Sequence, residues 1–489
     1  MSPEHRHDIL SFRGRWAAAS GYREVLALAG PLILSTSTMT VQQFINRIFI
    51  AWYSSEALAA SLPAGTLAFT MLCFFIGAAS YANTFVAQYH GAGQRDRIAA
   101  AVWQAIYLAV GAGLLAIPLS LLGPAIFRLS GHEPGVVALE VTYFRILVCG
   151  GGFGILSSAV STFFTGRGRT RTVMAVNVGV AVVNVVLDYL LIFGVYGLPR
   201  LGIAGAAWGS VISSALGAVA FYGLFLAGRD RHEYGVWAGR RFDRELFTRL
   251  LRFGAPSGLH FMLDLLAWSL FIIFVGRLGV RELGATNLAF QVNALVFVPM
   301  IGMSIATATL VGQRLGEGQP DLAARTTWSA FHLTVGYMAI FAVLYLVVPH
   351  VFLAPFGARA NPAEFAPLAD MAAIMLIFVG VYSLCDGVNL IFSAALKGAG
   401  DTLFPMLVSA GLSFGVMVLP TWLICRDGRG SVWWAWGSLT LFIVGLAVAF
   451  LLRFLQGKWR TMRVTESFHA PVSGVTPPPE VPLTDGEVI

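Results

Sequence analysis

The sequence predicts an all-α polytopic membrane protein with twelve transmembrane helices in two parallel six-helix repeats, and three observations carry that expectation. Of 489 residues, 57% are hydrophobic and only 12% are charged, and the mean hydropathy is +0.74, values foreign to a water-soluble globule. The apolar residues gather into about twelve stretches, each close to the roughly 20 residues a helix needs to cross a bilayer. The first half of the chain also reappears, altered, in the second.

Taken in order, the expected spans are 25–51, 60–88, 98–122, 139–164, 172–196, 204–227, 247–276, 287–313, 326–353, 368–395, 404–425 and 431–455. The connections are short, which excludes large soluble domains. With a cytoplasmic N-terminus, the cytoplasmic regions are the N-terminal segment, the tail with its flanking helix end, and the loops near 90–97, 166–171, 228–252, 314–325 and 397–403, and together they hold 23 of the 32 Lys and Arg. The positive-inside rule therefore places both termini in the cytoplasm.

The repeat is explicit at 86–105, VAQYHGAGQRDRIAAAVWQA, which aligns without gaps on VGQRLGEGQPDLAARTTWSA at 311–330 with nine of twenty positions identical. The same offset of 225 carries Pro31 onto Pro256, Ile76-Gly77 onto Ile301-Gly302 and Phe49 onto Phe274, while GRGRT at 166–170 meets GAGDT at 398–402 at an offset of 232. Each copy holds an even number of spans, so both halves enter the membrane the same way and are related about an axis along the membrane normal, a plan used by secondary transporters. The chain thus divides into a cytoplasmic N-terminal segment (1–24), a first bundle (25–227), a polar connector (228–246), a second bundle (247–456) and a cytoplasmic tail (457–489). From about 464 the tail is rich in Pro, Ser, Thr and acids and is expected to be disordered.

Composition also excludes function classes. The net charge of +7 is spread over short runs between apolar segments and needs no nucleic acid to explain it. Cys73, Cys149, Cys385 and Cys425 lie in apolar stretches without zinc-type spacing, so neither a disulfide nor a metal cluster is expected. The basic N-terminus leads into a full-length span with no small-residue cleavage site after it, and is expected to be retained. No GxxxxGK[ST], HExxH or GxSxG pattern occurs. An enzyme is not expected, no cofactor is implied, and energy must come from an ion gradient or a partner.

Three acids fall within spans and away from their ends: Asp188, Asp264 and Asp386. A carboxylate at mid-membrane costs at least about 2.5–3.5 kcal/mol on insertion scales, so each should face a bundle interior or wet cavity with a function there. In the fifth span Asn184 and Asp188 are four apart, on one helical face, with Asn177 two turns earlier. A carboxylate beside amide oxygens offers a hard-oxygen site for Na+ or a protonatable acid; the plain alternative is an inter-helix hydrogen bond. In the seventh span His260, Asp264 and Trp268 recur every four residues. His260 is expected to meet water near the cytoplasmic end and Trp268 to pack against lipid or a helix, although a His–Asp pair can also relay protons. In the tenth, Asp386 and Asn389 share a face, and helices seven and ten can bring Asp386 to Asp264 as a coupled pair. Asp401, at a cytoplasmic helix end, is expected to serve loop geometry. The amides Gln42, Gln43, Asn46, Asn287, Gln291 and Asn293 polarise the first and eighth spans and can either coordinate ligand or join helices. Arg47 is placed to snorkel.

With these pieces in hand, the chain from about 24 to 456 resembles the multidrug and toxic compound extrusion (MATE) family. SSEALAAS and FVAQYHGAG in the first half, NVVLDYLLIFG in the fifth span and LKGAGDTLFP after the tenth carry the resemblance. It implies a V-shaped bundle and an antiporter exporting organic, often cationic compounds in exchange for Na+ or H+. It also implies a first-half cation site at Asn46, Asn184, Asp188 and Ser210, and second-half acids at Asp264 and Asp386. One departure is that Asn46, followed by Arg47, stands where the family usually has Asp: its FVDxxxVG pattern reads FINRIFIA here. Losing a carboxylate beside a new cation weakens a first-half Na+ site, so coupling is expected to shift toward Asp264 and Asp386, and toward H+.

The expected protein is therefore a monomeric antiporter of the bacterial inner membrane, whose partners are small organic substrates and the lipid bilayer. A lipid-linked oligosaccharide flippase of the same wider superfamily would need Arg or Lys in its cavity to hold pyrophosphate, whereas the mid-span charges are mainly acidic. A passive channel would need no coupling acids.

Overall fold

The computed structural model describes residues 16–128, 132–357, 362–428 and 430–466. Twelve helices within them are long and apolar enough to cross a membrane: α1 (Tyr22–Tyr53), α2 (Ser55–Gly91), α3 (Arg95–Arg128), α4 (Pro134–Thr165), α5 (Thr170–Phe193), α6 (Ile203–Ala227), α7 (Arg244–Val275), α8 (Val280–Gly316), α9 (Pro320–Val347), α10 (Phe365–Ala399), α11 (Leu403–Cys425) and α12 (Val432–Leu455). The expected spans match these in number and order. Most helices run a turn or so further than expected, because polar caps and interfacial residues continue the helix beyond its apolar stretch.

Local chemistry sets several ends. The Ser54 hydroxyl accepts hydrogen bonds from the N–H groups of Glu56 and Ala57, with Glu56 in the first turn, so α2 starts on a capped, dipole-compensated terminus. Asp243 caps α7 by accepting from the Leu246 N–H at 3.0 Å. Gly194, at φ +69°, closes α5 in the left-handed conformation that only glycine adopts cheaply. The ninth span was expected to run to 353 but stops at Val347; Pro349 starts a separate short helix, Pro349–Gly357. Proline offers no N–H and disfavours a helical residue before it. Inside α11, Ser413–Val418 forms a π-helical turn.

The two halves pack against one another reciprocally, α1 on α8 and α2 on α7. A Cβ on Gly91 would fall 1.9 Å from the Gln313 carbonyl oxygen, and one on Gly316 would fall 2.1 Å from that of Gln88. Gly77 abuts Gly258 while Gly302 abuts Ile33. These are the same contacts seen from each side of the 225-residue offset. Side chains repeat the pattern: Gln88 Nε2 donates to the Gly398 carbonyl at 3.0 Å, and Gln313 Nε2 donates to that of Gly166 at 2.8 Å. The duplication thus appears as a pseudo-two-fold seam on the side where the connector joins the halves.

A second repeated device has its charges reversed. In the first half Asp230, just past α6, accepts from Arg167 at 2.9 Å and pairs with Arg169 at 2.5 Å. In the second, Asp401, at the position equivalent to Arg169, pairs with Arg453 of α12 at 2.7 Å. Burial works to raise the Asp230 pKa, but the two guanidiniums outweigh it and hold the carboxyl below its usual range. Asp401 therefore does more than shape a loop: it ties the end of α10 to the end of α12.

The tail also departs from expectation. Residues 457–466 are packed, not disordered. Trp459 stacks on Phe454 with centroids 4.8 Å apart, Arg460 pairs with Asp321 at 2.9 Å, and Arg463 donates to the Leu315 carbonyl. Val464 is fully buried and its N–H donates to Gln88 Oε1 at 2.9 Å. Glu466 then pairs with Arg97 and Arg249. This strap runs from the second half across the seam to the first. The rest of the expected tail, and the start of the expected N-terminal segment, lie outside the described residues.

Candidate functional site

In the first half the site forms between α1, α5 and α6. Asn184 and Asp188 are fully buried on one face of α5, as the four-residue spacing predicts. Asn184 Nδ2 donates to Ser213 Oγ at 3.2 Å and reaches Asp188 Oδ1 at 3.5 Å. The α6 hydroxyl that meets Asn184 is thus Ser213, one turn beyond the expected Ser210, whose carbonyl instead accepts from Ser213 at 3.0 Å. Gly209 makes room for the acid: a Cβ there would lie 2.1 Å from Asp188 Oδ1. On the other side Asn177 Nδ2 donates to Ser35 Oγ at 2.7 Å. Both Asn46 and Asp188 lie eleven residues, about three helical turns, further along their helices, which brings Asn46 to the level of Asp188. The Phe49–Tyr189 contact, with centroids 5.7 Å apart, supports that register. Three buried oxygens here, Asn46 Oδ1, Asn184 Oδ1 and Asp188 Oδ2, have no hydrogen-bond partner among the described residues. Arg47 is exposed.

In the second half α7, α10 and α11 converge. His260 Nε2 lies 3.4 Å from Asp264 Oδ2 and 2.7 Å from Ser409 Oγ, and its Nδ1 lies 2.8 Å from Lys397 Nζ. The expectation that His260 simply meets water fails: it is only 7% exposed. Packing of α11 onto α7 covers it, a contact between helices about 150 residues apart in sequence. Asp264 is half-buried, and its Oδ1 has no partner among the described residues. Asp386 Oδ1 accepts from Asn389 Nδ2 at 3.4 Å on α10.

Two residues here escaped the sequence reading. Lys397, one of only two lysines in the chain, sat in an apparent loop motif, and its rarity was the available signal. Tyr382, one turn before Asp386, buries a hydroxyl with no partner among the described residues; an apolar-looking tyrosine gave no signal. The remaining expected positions are less central. Trp268 packs edge-to-face on Phe290 with centroids 5.0 Å apart, Gln42 is half-buried and Gln291 is exposed.

Two equivalent six-helix halves, each carrying acids within its membrane-spanning helices, define a multi-pass membrane transporter and not an enzyme. A family model described as MatE matches residues 31–190 and 256–423, one block in each half. The chain belongs to the multidrug and toxic compound extrusion (MATE) family. It is 29% identical over 437 residues to the multidrug resistance protein NorM of Burkholderia vietnamiensis, covering 87% of this chain and 92% of that one. It is 25% identical over 455 residues to the multidrug resistance protein PmpM of Pseudomonas aeruginosa, covering 91% and 93%. Among solved structures, a MOP superfamily transporter from Pyrococcus furiosus superposes with a TM-score of 0.80 at 19% identity, over 90% of this chain and 97% of that one. An outward-facing multidrug resistance MATE transporter gives 0.77 at 19% identity, over 90% and 95%. With its twelve apolar helices and bacterial relatives, the chain is a multi-pass protein of the bacterial inner membrane.

Proposed function

We propose that this protein is a cation-coupled antiporter that exports organic, cationic or amphipathic compounds by rocking its halves about the seam, with both termini in the cytoplasm. One observation carries the reading: Asp188 and Asp264, both inside membrane-spanning helices, each keep a buried carboxylate oxygen with no partner among the described residues. An acid at that depth that keeps one oxygen clear of any fixed donor is suited to receive a mobile cation there. Asp264 and Asp386 are the principal coupling acids, and H+ is the ion they suit, because two carboxylates in mutual range share protons. Each proton moving inward through 100 mV releases about 2.3 kcal/mol and each unit of pH difference adds about 1.4 kcal/mol. Together these sustain a more than hundredfold gradient of a neutral substrate. No further cofactor enters the scheme.

A second coupling ion has its own support. The oxygens of Asn46, Asn184 and Asp188 make a donor set for a hard cation, and exposed Arg47 does not compete for it, so Na+ at Asp188 and Asn184 is the alternative. A pyrophosphate-binding cavity gains little support, since the buried charges are mostly acidic. The test is dye export from proteoliposomes under separately imposed pH and Na+ gradients. A pH gradient should drive export, and Asp386→Asn should abolish it while leaving the melting temperature and elution profile of the wild type. Normal export by that variant would remove Asp386 from the mechanism.

A further inference from the structure

The second-half acid is linked to the seam through the last turn of α10 and the side chains of Lys397 and His260. Tyr81 Oη donates to the Lys397 carbonyl at 2.9 Å, and Gln88 Nε2 donates to the next two carbonyls, those of Gly398 and Ala399, at 3.0 and 3.3 Å. The first half thereby grips the last turn of α10, and the Lys397 side chain leaving that turn reaches His260, which reaches Asp264. The groups facing His260 among the described residues are Asp264 on its own helix, Lys397 on α10 and the Ser409 hydroxyl on α11; from α2, Tyr81 approaches through the Lys397 backbone. Asp386 lies on α10 eleven residues before Lys397.

We propose that Lys397 and His260 are a positioning pair that closes the connector-side proton exit of Asp264 while the seam is closed and opens it when the seam parts. The proposal rests on the reading of Asp264 as a coupling acid. An ammonium group only donates. With Lys397 against Nδ1, that nitrogen is an acceptor, so the proton of the neutral ring sits on Nε2, directed at Ser409 and Asp264. A ring already protonated on Nε2 cannot take the proton of Asp264, and the connector side is sealed. When the seam parts, Tyr81 and Gln88 release the α10 turn and Lys397 leaves Nδ1. The ring proton then moves to Nδ1 through water, Asp264 passes its proton to Nε2, and Nδ1 gives one to connector-side water. One proton leaves Asp264, one reaches water, and the imidazole returns neutral. Tight coupling needs such a device, because an exit open in both states would drain the gradient without moving substrate.

The full-length protein in vesicles of phosphatidylethanolamine and phosphatidylglycerol, with a trapped pH dye, tests this. Proton entry is measured with and without ethidium as the exported cation. Lys397→Met should raise ethidium-independent proton flux at least fivefold, Lys397→Arg, which keeps a donor, should restore low flux, and Lys397→Met with His260→Ala should return it to the wild-type level. Wild-type leak in Lys397→Met alongside intact exchange would overturn the relay, as would a leak that persists in the double variant. His260→Ala alone is an independent reading if Lys397→Met does not fold: exchange should slow about tenfold with an altered pH profile, and a wild-type rate and profile would overturn the proposal. Wild-type vesicles that export ethidium without moving protons would instead overturn the parent reading of Asp264, and the relay with it.

Discussion

Gly209 shows how a residue with no side chain defines a site. It leaves the space that Asp188 Oδ1 occupies, 2.1 Å from where its Cβ would be, so Gly209→Ala must displace the carboxylate or part α5 from α6. Overpacking of this kind costs about 1–3 kcal/mol. The expected result is a lower melting temperature and a larger loss of Na+-driven than of H+-driven export; an unchanged melting temperature would show that the helices yield freely. The sequence made Asp188 conspicuous through the cost of a buried charge, and the four-residue spacing put Asn184 beside it. It could not distinguish Ser213 from Ser210, since both are on α6 and only the rotation of that helix against α5 decides which hydroxyl Asn184 meets. Lys397 was passed over for a related reason: its partner His260 is 137 residues away.

At the scale of elements, helix number and position were legible because a span needs a length of apolar residues that hydropathy measures directly. Ends were less so where a proline such as Pro349 splits an apolar run. The charge-reversed pairs bracing α4 to α6 and α10 to α12 were invisible, because an ion pair between distant helix ends leaves no periodic trace. Arg453→Gln leaves Asp401, itself 6% exposed, without its guanidinium, and breaking a buried pair on one side costs about 3–5 kcal/mol. Thermal unfolding should register that loss, and Asp401→Arg with Arg453→Asp should recover a large part of it. A swap no more stable than the single variant would mean the local geometry tolerates only one polarity.

Over the whole molecule, the reciprocal glycine contacts and the crossing strap hold the connector side together. Arg463, Val464 and Glu466 bind both halves at once, so ending the chain after Arg460, which keeps the Trp459 stack, should loosen the seam. Ala87 is fully buried there. A cysteine placed at Ala87, in a background lacking the native thiols, should react with a membrane-impermeant maleimide several-fold faster in the truncated protein, and equal rates would show that the strap is not a fastening. The Pro- and acid-rich composition that pointed to disorder describes an average over the tail; a few buried residues within it are enough to anchor its first part.

By itself the sequence determined that the protein has twelve helices long and apolar enough to span a membrane, that its halves are copies facing the same way, and which acids fall within the apolar spans. Each of these follows from hydropathy, from identity at a fixed offset, or from helical period, all readable along the chain without knowing which helices touch. Only the tertiary structure decided that Gln88 grips the end of α10, that the tail crosses the seam, and that Lys397, His260 and Asp264 form one chain. Such contacts join residues tens to hundreds of positions apart, and they depend on how each helix is rotated and tilted against its neighbours, which no local pattern encodes.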